Sequence, residues 1–599
     1  MGRKNRGRNP YRDPKLRDSA EIGTIPDEFI NFYKSQLVPS SITSEEFDEV
    51  LRVMKVSLPH VFRLSSLSPS FERLQKELEQ HLEHVKQQGI EVVCLDFLDQ
   101  RFGPIYKLSI DKPGLRKNEN LQSFRNWLHS HTESGDCVRQ EFVSMLPPYF
   151  LDVKPGQSIL DCCASPGSKT SQATEMLISQ SGITQNGLVI ANDVEPSRCS
   201  TLIHQLNRFE TPHVIVTCYP AQQFPEITKF DRIICDVPCS GDGTFRKNPD
   251  AGPKWKVHSG TSLHILQRSI LIKALSLLKP GGRLVYSTCS MNPLENEAVI
   301  NSVYHDCEGT IDIVDVSNQY PGLKRSKGLS QWKVYYDQNH ISSFEDVPSE
   351  LKDKYSASMF STNVTPKIER CMRFLPHQND SGAFFVTVIE KLEEKSLPIP
   401  LSPKVLSQWR QPPFLPLLES NSEIFATLKE EYGLDDSFCP ENLFIRDDDS
   451  VRNIFYLTHQ AGEIARKTDP KTLRAFSSGT RVFSWKSLNN DTAIKGIPCY
   501  EGVGIVFHAA TRRKYSITPK DMKLLLEAGN EGANIETLSP ESQAVFKTAN
   551  VGGCIVYVEG TKYIYGAMRK RSAVSLHIKK EKIQWEVLSL VSAFPEINQ

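Results

Sequence analysis

Two short stretches hold side chains that could do covalent chemistry: Cys235-Asp236-Val237-Pro238-Cys239 and Tyr286-Ser287-Thr288-Cys289-Ser290. Each follows or ends an apolar run that reads as a strand, Arg232–Ile234 and Arg283–Tyr286. Two thiols and a carboxylate at neighbouring strand ends suit a reaction that begins with sulfur attack on an electron-poor ring. Cytosine is such a ring. Its C5 is too weak a nucleophile to take a methyl group from a sulfonium. A thiolate adding at C6 turns C5 into an enamine carbon that can attack. Loss of the C5 proton and expulsion of the thiolate then release the product. An acid near N3 is needed for the charge that builds up there, and Asp236 is the candidate. A stacked base must swing out to reach such a pocket. Spacing leaves open whether Cys239 or Cys289 attacks, and a pair of structural cysteines would give the same spacing. An amino-group methyltransferase usually places an aromatic after the proline to stack its base. Cys239 takes that position here, which favours carbon as the methyl acceptor.

A second motif would supply the methyl donor. Residues 159–170 run Ile-Leu-Asp-Cys-Cys-Ala-Ser-Pro-Gly-Ser-Lys-Thr: an apolar strand, a tight turn at Pro166-Gly167, then a helix from about Thr170. Gly167 allows close approach of backbone to a ligand, and the helix N-terminus offers free N–H groups. Neither the dinucleotide fingerprint nor the P-loop spacing is present. A single-glycine turn suits a ligand without pyrophosphate, and S-adenosylmethionine is one. The loop candidates are Cys163, Ala164, Ser165, Pro166, Gly167, Ser168 and Lys169. The next apolar run ends at Asp193, placed to accept the ribose hydroxyls, although a turn aspartate capping the helix after Pro196 would look the same.

These motifs need a parallel sheet to bring them together. Ser158–Leu160, Leu188–Ile190, Val214–Val216, Arg232–Ile234 and Arg283–Tyr286 alternate with helical segments across residues 138–393. That alternation predicts a doubly wound α/β sheet with ligands at the carboxyl ends of its strands, and Ala383–Ile389 adds a late strand. Ahead of it, residues 26–137 read as an α/β accessory domain. Thr43 and Glu46 have capping-box spacing, with Phe47, Val50, Leu51 and Met54 on one helical face. A strand Leu58–Leu64, a helix from Phe71 to Val85 and a strand Glu91–Leu98 follow. Residues 1–25 form a basic arm and 394–416 a Pro/Ser-rich linker. Residues 417–599 are expected to be β-rich, with strands at Arg481–Trp485, Gly502–Ala510, Gly553–Val558, Lys562–Ala567 and Ala573–Lys579.

Composition narrows the classes. No run approaches the ~20 apolar residues of a membrane helix, and the basic start lacks the apolar stretch of a secretory signal. The 14 cysteines are scattered, without paired CxxC knuckles, so neither a disulfide framework nor a zinc site is expected. Lys plus Arg and Asp plus Glu each number 71, so charge for a nucleic-acid partner must be local. The clusters Arg3–Arg8, Arg512–Lys514 and Arg569–Arg571 could track phosphates or be solvated faces. A monomer is expected, with the nucleus, nucleolus included, as its place of action and cytoplasm or mitochondrion as alternatives.

The ordered motifs resemble the Sun-domain RNA cytosine-5 methyltransferases. The matching stretches are Arg139–Pro148, Asp161–Thr170, Asp236–Thr244, Tyr286–Ser290 and Arg373–His377. Thr132–Gly135 and Gln331–Val334 are similar to the eukaryotic tRNA methyltransferase branch, as is the C-terminal region, which in that branch carries a PUA-like RNA-binding unit. The resemblance implies S-adenosylmethionine as methyl donor, tRNA as the favoured RNA and an RNA-binding role for the flanking domains. It also assigns what spacing leaves open: Cys289 as nucleophile, Cys239 in product release, and Asp193, Asp236 and the 163–169 loop at cofactor and active-site positions. Two positions depart from the family pattern. Ser165 replaces an alanine, a small change. Pro220 stands where the family has an aspartate near the adenine, and proline offers neither an acceptor side chain nor an N–H. Gln222 is the neighbour that could substitute. A chain that keeps the fold and binds RNA without catalysis is the competing expectation.

Overall fold

The computed structural model describes residues 25–598, except 69–70, 180–185, 210, 308, 338, 396, 398–410, 447–452, 468–472 and 486–495. The basic arm and most of the Pro/Ser-rich linker therefore lie outside the described residues.

The centre is a mixed sheet. In chain order its strands are β1 (Ser158–Asp161), β2 (Leu188–Asp193), β3 (Val214–Cys218), β4 (Phe230–Asp236), β5 (Leu278–Thr288), β6 (Ile311–Ile313), β7 (Ser326–Lys327), β8 (Met372–Phe374), β9 (Phe384–Lys391) and β10 (Ala475–Ser478). The spatial order is β7-β8-β9-β5-β4-β1-β2-β3-β10, with β6 beside β9. Strands β1 to β5 are parallel to one another, and every other pairing in the sheet, β5 with β9 and β3 with β10 included, is antiparallel. The expected α/β sheet is thus present, and the order reverses at β1, where ligands sit in such sheets.

Period-2 alternation sends each strand's apolar residues to two cores. Leu160, Ile190, Ile215, Ile233 and Leu284 pack with the helix Thr261–Leu277. Their alternates Ile159, Val189, Val216, Ile234 and Val285 pack with the helices Phe142–Leu151 and Ser168–Ile178. Both faces are dry, which is why these strands read as continuous apolar runs.

The N-terminal part is two structures. The helices Asp27–Leu37 and Ser44–Met54 pack Phe29, Phe32, Tyr33 and Phe47 against Phe245, Trp255, Met291 and Leu375 of the catalytic region. Thr43 and Glu46 form the expected capping box. The following strands make an antiparallel four-stranded sheet in the order Val92–Cys94, Ile105–Leu108, His60–Leu64, Cys137–Arg139. The two strands expected here are not neighbours. Ile105–Leu108, too short to register in the pattern, lies between them. Arg63 of this sheet forms a buried ion pair with Glu175 of the helix Ser168–Ile178, which fixes the sheet to the catalytic region.

The C-terminal part contains two five-stranded sheets. Strands form at Thr480–Trp485, Gly552–Tyr557, Ile564–Arg569 and Ala573–Leu576. The strand expected at Gly502–Ala510 is instead the helix Val503–Ala509. Its apolar residues suggested a strand, but Val503, Val506 and Ala509 are buried at helical spacing, and packing overrides β propensity. The basic clusters of this part are largely bonded internally. Arg513 pairs with Glu431, and Arg569 donates to the carbonyls of Phe546 and Arg571.

Candidate active site

β4 and β5 lie side by side in parallel, with Asp236 opposite Ser287. The segments that leave their carboxyl ends therefore meet above the sheet. The Sγ atoms of Cys239 and Cys289 stand 3.2 Å apart. The Cys239 thiol is pushed well up from its ordinary range, first by its hydrogen bond with Cys289 and then by burial. Either sulfur can donate in this pair. Asp236 accepts from the Ser287 hydroxyl at 2.6 Å and from Lys169 Nζ at 2.7 Å. Burial works to discharge Lys169, but the Asp236 carboxylate outweighs it and holds the ammonium above its ordinary value. The same ammonium lies 5.4 Å from the centre of the Phe384 ring.

The two cysteine segments are tied together by residues that the sequence pattern did not single out. Buried Glu295 accepts from the Ser240 N–H at 2.8 Å, the Ser290 hydroxyl at 2.8 Å and Gln267 Nε2 at 3.0 Å. It thus holds the residue after Cys239 to the residue after Cys289. Burial, then the charge of Asp242, push its carboxyl up to about 7. Asp242 accepts the Met291 N–H at 2.8 Å and the Tyr33 hydroxyl, so the first helix of the chain braces the same loop. Gly243 is wedged between the backbones of Cys289 and Ala383: a Cβ there would meet their carbonyl oxygens at 2.7 and 2.6 Å. Arg373 of the Arg-Phe-Leu-Pro-His stretch pairs with buried Glu297 and donates to the Met291 carbonyl at 2.8 Å.

The cofactor loop follows β1. Ala164 N–H donates to the Asn192 carbonyl at 2.7 Å, anchoring the loop to the end of β2. Asn192 is fully bonded: its amide donates to Cys162 and Tyr219 carbonyls, and its oxygen accepts from Thr217 and the Tyr219 N–H. Asp193 is buried, and its oxygens are occupied by Arg198 at 2.9 and 3.1 Å, by the Ser165 N–H at 3.2 Å and by the Glu195 N–H at 3.3 Å. It therefore acts here as a turn and loop anchor, and a ribose would have to displace the half-exposed Arg198 to bond it. Gly167 has φ 110°, and a Cβ there would meet Leu202 at 2.9 Å. Its positive φ suits glycine, and its lack of a side chain lets the turn pack on the helix Pro196–Leu206.

A cavity of about 570 Å³ joins these parts. Its lining includes Asp161, Cys163, Ala164, Ser165, Pro166, Ser168, Lys169, Asp236, Cys289 and Phe384. Asp193, Pro220 and Gln222 are not part of it. Asp161 was not singled out by its spacing. It is buried at the tip of β1, with Oδ2 accepting from Thr170 at 2.7 Å and Oδ1 without a partner. Burial pushes its carboxyl up to about 7. An unsatisfied buried acceptor in the cavity wall suits an ammonium or hydroxyl donor on a bound molecule. The tail of S-adenosylmethionine carries such a donor, so the residues present fit it. Among the described residues no group of three or more metal-ligating side chains converges, and no helix is long and apolar enough to cross a membrane.

The family model for the 16S rRNA methyltransferases RsmB/F matches residues 148–390. The tRNA (cytosine(34)-C(5))-methyltransferase of Drosophila melanogaster is 31% identical over 97% of this chain and 86% of its own length. A multisite-specific tRNA:(cytosine-C(5))-methyltransferase of Schizosaccharomyces pombe is 31% identical over 90% of each chain. That of Saccharomyces cerevisiae is 38% identical over 63% of this chain and 57% of its own.

Proposed function

The chain belongs to the RsmB/F family of RNA cytosine-C5 methyltransferases, and from that membership we propose that it methylates C5 of cytosine in tRNA with S-adenosylmethionine as donor. The observation that carries the reading is the meeting of two thiols 3.2 Å apart with the Asp236–Lys169 pair, where Cys289, Asp236 and Lys169 share one cavity with the loop 163–169.

In this reading Cys289 is the nucleophile. Cys289 lines the cavity and Cys239, 3.2 Å from it, does not, which favours the Cys289 sulfur for attack on a base in that cavity. Lys169 supplies positive charge beside it. The Cys289 sulfur bonds to C6 of an everted cytosine, and charge moves onto the N3 edge. The Asp236–Lys169 pair is the proton source that meets this charge. The loop 163–169 and Asp161 would hold S-adenosylmethionine, which would supply an electrophilic methyl group. C5 gains the methyl and gives up its proton to solvent at the mouth of the cavity, and Cys239 assists release of the product. The S–C6 bond then breaks, restoring the ring and the Cys289 thiolate.

Alanine at Cys289 is expected to abolish methyl incorporation into tRNA. Alanine at Cys239 is expected to accumulate a protein–RNA adduct that survives a denaturing gel. Full activity of Cys289→Ala would show that another group attacks. Pro220 supports a second reading, an RNA-binding protein without catalysis. Methyl incorporation into bulk tRNA by the wild-type chain separates the two.

A further inference from the structure

The cavity has a second wall, most of which lies ahead of the family match at residues 148–390. Leu58, His60 and Val61 of the accessory sheet's first strand and its approach line it, together with Lys112, Arg139 and Lys247. Arg139 ends the strand Cys137–Arg139, paired opposite Phe62. The chain beyond it is bolted to the catalytic region. Gln140 donates to the Ser144 carbonyl at 3.0 Å, and Glu141 accepts the Gly382 N–H at 3.0 Å. Arg139 is thereby held at the mouth while its side chain stays exposed.

Lys247 reaches the same mouth from the opposite side, on the loop that carries Cys239. Its neighbour Arg246 is buried and donates to Val56, Ser57 and Ser381 carbonyls and to Asp380. Arg246 fixes the loop, and Lys247 projects from it, exposed. Among the described residues neither Arg139 nor Lys247 forms an ion pair, whereas the cations of the C-terminal clusters are largely bonded within the fold. Of the three lining carboxylates, Asp236 is matched by Lys169, Glu141 accepts a backbone N–H, and Asp161 is buried with Thr170 on one oxygen.

Taking the cytosine methyltransferase reading as its ground, we propose that Arg139 and Lys247, with Lys112 beside them, form a phosphate-binding rim that grips the RNA backbone next to the everted cytidine. A flipped base deep in the cavity leaves its flanking phosphates at the mouth, where exposed cations gain most from them. The field at this wall is positive enough to act on its histidine. Burial, then the charges of Arg139 and Lys112, drive His60 down to about 4, so it stays neutral with Nε2 unpartnered. The accessory sheet in this view positions substrate, and its cations act on binding rather than on the bond-making steps.

The test compares the full-length wild type with Arg139→Ala, Lys247→Ala and the double variant, all at exposed positions. The double variant is expected to raise KM for tRNA by roughly tenfold while kcat at saturating RNA stays within about twofold. Each phosphate that the protein no longer neutralises makes the slope of log K against log salt shallower by ~0.7–0.9, so the double variant should be shallower by ~1.4–1.8. Arg139→Lys should restore most of the slope. Unchanged KM and slope would overturn the rim. Weakened binding of S-adenosylmethionine alone, measured calorimetrically, would also overturn it, because these cations would then serve the donor's carboxylate. Absence of methyl transfer by the wild type would instead remove the reading underneath, and that result is seen without any variant.

Discussion

A carboxylate buried between two thiol-bearing loops is a costly choice, and Glu295 shows what it does. Four donors, the Ser240 N–H and hydroxyl, the Ser290 hydroxyl and Gln267 Nε2, converge on it, so the spacing of Cys239 and Cys289 depends on this side chain. Burial raises its carboxyl from the ordinary 4.5 to about 7. Between those two pH values the folded chain binds a proton that the unfolded chain has released. Its contribution to stability is therefore complete at low pH and is lost as pH rises through about 7. Asp161, also raised to about 7 by burial, adds a term of the same sign. Glu295→Gln keeps the shape and removes the titration. The variant should lose less melting temperature than wild type between pH 5 and pH 8, measured by thermal unfolding at both. Equal losses in the two proteins would mean that the Glu295 carboxyl takes up no extra proton on folding. Glu295→Ala removes the strut itself and should lower kcat at every pH without changing the affinity for the methyl donor.

Strand ends and the turns after them decide where the reactive atoms sit. Gly243 illustrates the tolerance. A methyl group there has no room between the carbonyls of Cys289 and Ala383, so Gly243→Ala must push the Cys289 segment away from Cys239. Methyl transfer is expected to fall by 10- to 100-fold, since displacements of ~1 Å in a reacting pair cost about that much, with overall stability reduced by ~1–3 kcal/mol. Circular dichroism melts and single-turnover rates measure the two effects separately. Much of this level was legible in the sequence. The five parallel strands, the loop after β1 and the two cysteine stretches all announce themselves, because buried strands must be apolar and their ends must turn. What stayed hidden depends on pairing in space. Asn192 and Asp193 are adjacent and polar, and only the structure divides their work: one staples three strand ends, the other is held by Arg198. Gly167 also packs on Leu202, a contact that its place in the sequence does not announce. Glu295, Asn296 and Glu297 are all buried, yet hydropathy gives polar residues in a row the look of a surface.

At the scale of the whole chain, the catalytic sheet is incomplete without segments far from it in sequence. β10 pairs antiparallel with β3, setting Ala475 against Thr217 and Ser478 against Ile215. The Thr458 hydroxyl donates to the Gly187 carbonyl at 2.7 Å, and Leu457, Ile464 and Leu473 enter the same core as Ile190 and Ile215. The chain then returns to its beginning. Trp585 of the helix Lys580–Ala593 packs on His129 with ring centres 4.7 Å apart, and Ser592 donates to Glu77 at 2.6 Å. Lys562 lies 3.5 Å from Asp136, the buried aspartate that also holds His131. The C-terminal part therefore has a structural role in the catalytic sheet. It covers a sheet edge and closes over the accessory sheet that walls the cavity. A chain cut after residue 393 would expose the outer edge of β3 and the apolar face that Leu457, Ile464 and Leu473 cover. Uncovered strand edges and contiguous apolar patches drive association. The truncated chain is expected to elute as aggregate in size-exclusion chromatography and to unfold at lower temperature than the full chain, even though residues 148–390 carry the whole family match. A monodisperse fragment with the melting temperature of the intact protein would show that the C-terminal part is an appendage, and that the catalytic sheet needs no tenth strand.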